Sequence, residues 1–212
     1  MRPPPATLES APERVYPRAV RLAYHVMTSP VGLLFVAASP RGLRHVGFMD
    51  RKSIKRMIAV FSGTQTDLEW GASLLELKPV VDSLEGYFCG ALDRVDVPLD
   101  VEGSPLQIAV WKELSRIPYG ETRTYGEIAR AIGQPRAARA IGTACNQNPV
   151  PIVVPCHRVI GANGALTGYA GGVSRKKWLL KHEARFRGKV ESETADLFTI
   201  TSGRAGSKRD AR

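Results

Sequence analysis

Residues 155–161 read Pro-Cys-His-Arg-Val-Ile-Gly and set a thiol beside an imidazole. They follow the apolar run Val150-Pro151-Ile152-Val153-Val154. A thiolate is a strong soft nucleophile, and a nearby base or positive charge makes it available near neutral pH. Cys156 is the candidate nucleophile and His157 its candidate activator. If the chain is still extended there, the two neighbouring side chains point to opposite faces. Activation then needs a bridging water or a turn at the cysteine. Farther along, His182-Glu183 falls on an expected helix. A carboxylate bonded to an imidazole fixes its tautomer and raises its basicity, so Glu183 is the candidate orienter of His157.

The charge around this thiol is uneven. The 212 residues carry a net charge of +10. Residues 1–102 hold twelve Lys/Arg against twelve Asp/Glu, whereas residues 103–188 hold thirteen against four, a net +9. That excess implies a polyanion-binding surface beside the reactive centre. Three cysteines, Cys89, Cys145 and Cys156, are odd in number and irregularly spaced. They read as free thiols in a reducing compartment, with Cys89 and Cys145 as small packed residues. No CxxC or HxxxH pair is present, so neither a metal site nor a cofactor is expected. An apolar fraction of 43% supports a real core. The chain has no long apolar run, and Met1-Arg2-Pro3-Pro4-Pro5 does not open a signal peptide. The expectation is a soluble, cytoplasmic protein (nucleoid-associated if prokaryotic) with no membrane partner.

The elements that must position these groups fall into two halves. Residues 1–17 are Pro-rich and expected to be disordered. Residues 18–102 form a small α/β domain. Val20, Leu22, Tyr24 and Val26 alternate as a strand, and Leu33–Ala38 and Leu43–Phe48 give two more. Ser29-Pro30-Val31-Gly32 and Ser39-Pro40-Arg41-Gly42 make the turns between them. Helices are expected over Ser53–Phe61 and Ser73–Phe88, then a short strand or edge at Val95–Leu99.

Residues 103–187 carry stronger local signals. Ser104-Pro105-Leu106-Gln107 and Thr124-Tyr125-Gly126-Glu127 are capping boxes, each opening a helix. Gly133 closes the second of these helices, and Pro135 is expected to start the next. The pair has helix-turn-helix proportions, with Arg136 and Arg139 on an alanine-rich second helix that could enter a groove. Asn163-Gly164 after Val159-Ile160 favours a hairpin, which suggests a winged-helix-like domain. Gly168-Tyr169-Ala170-Gly171-Gly172 is a loop able to present amides to a ligand. A last helix is expected from about Ser174 to Ala184, with an irregular, disordered tail over 188–212.

Several of these segments together closely resemble the O6-alkylguanine-DNA alkyltransferases. They are Asn148-Pro149-Val150-Pro151, Val153 to Gly161, Thr167 to Gly172, Ile117 to Thr122, and Pro135 to Gly142. The resemblance is dense over residues 100–187. For the first half it extends only to the strand-helix plan, which in that family is a ribonuclease H-like domain.

The resemblance implies a two-domain mixed α/β protein that binds double-stranded DNA through the minor groove; in the free state the chain is expected to be a monomer. A lesion base is flipped from the duplex into a pocket. Arg139 matches the arginine that fills the vacated space, and Tyr125 the tyrosine that crowds the 3′ phosphate and reaches the base. Cys156 matches the alkyl acceptor, His157 the base acting through water, and Glu183 its partner. Asn148 matches the brace between recognition helix and active-site strand. Backbone groups of Cys156, Val159 and Ala170 would read the base edge, with Pro151 and Tyr169 walling the pocket. Some relatives carry serine at the Ala170 position. Because a thioether is a poor leaving group, one turnover per molecule is expected. Two rival classes are a winged-helix regulator, which leaves Cys156, His157 and Glu183 unexplained, and a cysteine hydrolase, which needs no +9 half.

Overall fold

The computed structural model describes residues 20–49, 54–62 and 68–202. The Pro-rich segment 1–17 and the end of the tail from 203 lie outside them.

Strands β1 (Val20–Ser29), β2 (Gly32–Ser39) and β3 (Gly42–Met49) form an antiparallel meander. Its turns fall at the two Pro-Xaa-Gly signals, with Ser29 paired to Gly32 and Ser39 to Gly42. Gly42 sits at φ 146, and a Cβ there would stand 2.5 Å from the Pro98 carbonyl oxygen. Helix α1 (Ile54–Ser62) follows, and β4 (Leu68–Ala72) then adds parallel to β1, giving the order β3-β2-β1-β4. Strand β4 is not legible in the sequence. Leu68-Glu69-Trp70-Gly71-Ala72 alternates over only five residues and holds no β-branched one, and its pairing with the distant β1 makes it a strand. Helix α2 (Leu74–Cys89) is capped by Ser73, whose side chain accepts from the Glu76 amide, and ends at Gly90 with φ 75.

Two expectations for this half need correction. Cys89 is exposed. The buried face of α2 is Leu77, Val80, Val81, Leu84 and Tyr87, and the helical period turns position 89 away from it. Val95–Leu99 is not a strand. Only Leu99 bridges, to Leu43, and Leu43 N–H donates to Pro98 O at 2.8 Å.

In the second half, α3 (Pro105–Leu114) and α4 (Tyr125–Ala131) start at complete capping boxes on Ser104/Gln107 and Thr124/Glu127. Helix α5 spans Ala138–Asn146. Pro135 does not begin it, and Arg136 is not on it. Both sit in a turn closed by Ala137 N–H on Gln134 O at 2.9 Å. Proline's fixed φ suits the second position of a turn as well as a first helical turn. Strands β5 (Arg123–Thr124) and β6 (Val159–Ile160) pair in parallel. The turn at Asn163-Gly164 forms, with Gly161 N–H on Ala165 O at 2.9 Å, but the chain after it does not return as a strand. Its β6 partner edge is taken by β5 instead of a hairpin.

Helix α6 runs over Val173–Ser202, well past the expected end at Ala184. Residues 189–202 contain neither glycine nor proline, so nothing local stops the helix, and the expectation of an irregular tail fails over that stretch. Among the described residues no helix is long and apolar enough to cross a membrane.

The sheet is buried on both faces, as the continuous apolar run of β2 requires. Phe35 and Ala37 pack with Met49, Met57 and Trp70 on one side. Leu34 and Val36 join the main core on the other, together with Leu84, Tyr87, Val110, Leu114, Ile141 and Leu179. That core is continuous through both halves of the chain. Further links are Val46 N–H to Pro149 O at 2.9 Å and Arg175 Nε to Val31 O at 2.8 Å.

Candidate functional site

The strand-like run before the cysteine breaks at a turn. Val154 N–H donates to Val150 O at 2.9 Å, and Ile152 takes φ 79. That is the left-handed region, uncommon for a β-branched residue, and a mark of local strain. Cys156, His157 and Arg158 then form one turn of 3-10 helix between Pro155 and β6. The chain is therefore not extended at the cysteine, and the turn sends its side chains into the core.

Asn148 organises this turn. Its Nδ2 donates to Val154 O at 2.7 Å and to Cys156 Sγ at 3.2 Å, and its Oδ1 accepts from Val150 N–H at 3.1 Å. Cys156 is buried, and burial pushes its thiol up to about 11. The Asn148 bond and the Lys176 cation pull it back only in part. With its pKa so raised, the sulfur is held as a thiol at neutral pH.

His157 Nε2 meets Glu183 Oε1 at 2.7 Å, with both side chains fully buried. Its Nδ1 is buried with no protein partner. Burial holds the imidazole below its ordinary value, and the bond and charge of Glu183 only partly offset this. Burial would push Glu183 up, but the His157 bond and the Arg158 guanidinium outweigh it and hold the carboxyl at about 2. The pair is thus a neutral imidazole on an ionised carboxylate. An imidazole so held can accept a proton on its free nitrogen and be stabilised as a cation by the carboxylate.

Three supporting groups were not assigned roles from the sequence. Arg158 bonds both Glu183 oxygens through Nε and gives NH1 to Ile117 O at 2.6 Å. Lys176 is fully buried, with Nζ on Val159 O at 2.5 Å and Thr167 O at 3.0 Å. Tyr87 donates its hydroxyl to Glu183 Oε1 at 2.7 Å. The spacing Lys176-Leu179-Glu183 was a usable signal, because it lies on one helical face with a buried leucine. For Tyr87, 96 residues from its partner, nothing local could have shown the bond.

Tyr125 is the first residue of α4, half-buried, with its hydroxyl on Thr167 O at 3.1 Å. Lys176 Nζ lies 5.9 Å from its ring centroid. Tyr169 is buried edge-on to Phe48 at 5.9 Å, Ala170 is exposed, and Pro151 is buried. The Val159 carbonyl already accepts from Lys176, and the Cys156 carbonyl from Val159 N–H. Arg139 is exposed on the first turn of α5, and Arg136 is exposed in the turn before it. The structure thus joins Asn148 to Cys156 and His157 to Glu183 in two buried clusters, side by side at the 3-10 turn. It leaves both arginines on the surface of the helix pair.

Comparison with known proteins gives this arrangement a family. Residues 22–101 match the 6-O-methylguanine DNA methyltransferase ribonuclease-like domain, and residues 105–185 match the DNA binding domain of the same family. A methylated-DNA–protein-cysteine methyltransferase of Methanosarcina acetivorans is 47% identical over 160 residues, covering 76% of this chain and 97% of the relative. One from Mycolicibacterium paratuberculosis is 44% identical over 164 residues, covering 77% and 93%. The crystal structure of Mycobacterium tuberculosis OGT in complex with DNA superposes with a TM-score of 0.65 at 44% identity, covering 79% of this chain and 94% of that one. The O6-methylguanine-DNA methyltransferase of Pyrococcus kodakaraensis gives 0.58 at 25% identity, covering 76% and 98%. With both halves matched in order, the chain belongs to the 6-O-methylguanine DNA methyltransferase family.

Proposed function

We propose that this chain repairs DNA by taking O6-alkylguanine, and O4-alkylthymine, out of the duplex and moving the alkyl group irreversibly onto Cys156. The observation that carries this reading is the buried His157–Glu183 pair next to a buried thiol, one turn of chain from Asn148. A relative with the same two domains has been crystallised with DNA.

The thiol proton passes through a water to His157 Nδ1, and Glu183 stabilises the resulting imidazolium. The sulfur attacks the alkyl carbon, a C–S bond forms, and the bond from that carbon to the base oxygen breaks. The departing base takes a proton at its ring nitrogen from Tyr125 or a water and leaves neutral. The product is an S-alkylcysteine. Cys145, the other buried thiol, is pushed up to about 12 by burial and by Cys156.

The chain, a monomer in the free state, enters double-stranded DNA from the minor groove, with Arg139 filling the gap left by the flipped base. The minor groove presents a degenerate pattern, which suits a lesion that arises in any sequence. Arg136 contacts the backbone from the turn. The helix pair with the β5–β6 ladder serves as a reduced winged-helix unit. Tyr169, Pro151 and the backbone of Val159 and Ala170 line the base pocket.

Intact-mass measurement after incubation with an O6-methylguanine duplex tests the central step. Wild type should gain one methyl group, located on Cys156, and Cys156→Ser should gain none. No gain in wild type, or repeated turnover with excess duplex, refutes the reading.

A further inference from the structure

Glu183 receives more donors than are needed to hold one imidazole. Oε1 accepts from His157 Nε2 at 2.7 Å, Tyr87 Oη at 2.7 Å and Arg158 NH2 at 3.0 Å. Oε2 accepts from Gly120 N–H and Arg158 Nε, both at 3.0 Å. Among the described residues Tyr87 is the only one of these donors from the ribonuclease-like half.

We infer that Tyr87 is a positioning residue for alkyl transfer: its hydroxyl, supplied by the ribonuclease-like domain, fixes the Glu183 carboxylate in the rotamer that orients His157. This rests on the reading of His157 and Glu183 as activators of Cys156.

Packing alone does not account for the hydroxyl. The Tyr87 ring is 1% exposed and packs edge-on against Phe88 and Tyr119, a role phenylalanine would fill. The Tyr119 hydroxyl, on the neighbouring ring 6.0 Å away, meets no protein partner, and Tyr119 is the more exposed of the two, at 9% against 1%. Tyr87 is also aimed with little freedom. Its carbonyl bonds His182 Nε2 at 2.8 Å, and α2 stops three residues later at left-handed Gly90, where a Cβ would overlap the Phe186 ring. Burial and then the Glu183 charge raise this phenol well above its ordinary value, so it remains a donor.

Arg158 already pairs symmetrically with the carboxylate, Nη2 on Oε1 and Nε on Oε2, both at 3.0 Å, while Oε1 also meets His157. Tyr87 on Oε1 and Gly120 on Oε2 each add one donor to that pair, and together they keep Oε1 on His157. Without the hydroxyl the imidazole loses part of its anchor and becomes less basic. The charged or titratable groups facing this carboxylate are His157 and Arg158 from the 3-10 turn, Tyr119 beside Gly120, Tyr87 from α2, and Tyr169 from the loop before α6. Lys176 on α6 also acts on His157.

The test uses full-length Tyr87→Phe and single-turnover transfer from an O6-methylguanine duplex. The rate should fall roughly tenfold, as for a lost hydrogen bond to a charged group, with duplex affinity unchanged. The acid limb of the pH–rate profile should move to lower pH. Tyr119→Phe removes the neighbouring hydroxyl, which meets no protein partner, and should leave rate and limb as in wild type. A wild-type rate in Tyr87→Phe, a slower rate with an unmoved limb, or an equal loss in Tyr119→Phe overturns the inference. If Tyr87→Phe does not fold, 3-fluorotyrosine at position 87 keeps the ring and strengthens the donor. It must displace the limb, and an unmoved limb overturns the inference. His157→Gln separates the two levels. A wild-type rate there refutes the site reading itself, whereas a slow His157→Gln beside a normal Tyr87→Phe refutes only the role of Tyr87.

Discussion

The amide of Asn148 lies 3.2 Å from the Cys156 sulfur and at the same time ties the turn that carries it, through Val150 and Val154. One side chain therefore sets both the shape of the turn and the polarity at the nucleophile. Asn148→Ala should leave Val150 N–H without its partner and Val154 O with only the Cys156 amide, costing about 1–3 kcal/mol and lowering Tm by roughly 3–9 °C. The transfer rate should fall as well, because the thiol loses a donor that favours its anion. Asn148→Asp keeps the acceptor for Val150 but puts a carboxylate against the sulfur. It should be more stable than Asn148→Ala and slower in single-turnover transfer.

Acid should destabilise the protein through the buried pair. The Glu183 carboxyl lies at about 2 in the fold against an ordinary 4.5. The unfolded chain takes up that proton first, so the contribution is full above pH 4.5 and is lost as pH falls toward about 2. His157, held below 6.5 by burial, acts in the same direction from pH 6.5 downward. A thermal-melt series should show Tm falling steadily below pH 6.5. Glu183→Gln should melt lower at neutral pH, since it strands Arg158, and should show a flatter profile between pH 4.5 and 2.

Arg139 and Arg136 should separate cleanly. If Arg139 fills the gap of a flipped base, Arg139→Ala slows repair in duplex by roughly 10- to 100-fold while sparing transfer from the free alkylated base. Arg136, in the turn and not on the helix, should act only as a phosphate contact. Arg136→Ala should weaken binding evenly across sequences and reduce the salt slope by about one. Equal losses on duplex and free base for Arg139→Ala would exclude a flipping role.

Gly42→Ala is the matching test of the scaffold. The added Cβ would meet backbone of Pro98, at a φ that L-residues rarely adopt. It should cost roughly 2–4 kcal/mol, measured by denaturant unfolding, even though residue 42 is far in sequence from the site.

How much of this was legible in the sequence follows from the range of each interaction. Both capping boxes, the Pro-Xaa-Gly turns and the alternation of β1 are local, and each forms where its residues place it. The pairing of β4 with β1, and of β6 with β5 in place of a hairpin, depends on strands far apart in sequence, so local pattern could not decide it. Arg136 was misplaced because proline serves turns and helix starts alike. At the site, residue types pointed to His157 and Glu183, whose side chains do meet. Lys176 and Arg158 were counted among surface charges, yet both are buried and spend their donors on carbonyls and a carboxylate. A charge count cannot tell a solvated cation from one that replaces solvent inside the fold.

The core that runs without a break through both halves has a consequence for how the molecule comes apart. Leu34 and Val36 of the sheet and Ile141 and Leu179 of the second half belong to one buried cluster. Apart from the small cluster of Phe35, Ala37 and Met49 on the far face of the sheet, neither half has an interior that closes without the other. Melting followed by a probe on the sheet and by protection of the Cys156 thiol should therefore trace the same curve. In cooperativity, as distinct from ancestry, the chain is a single unit.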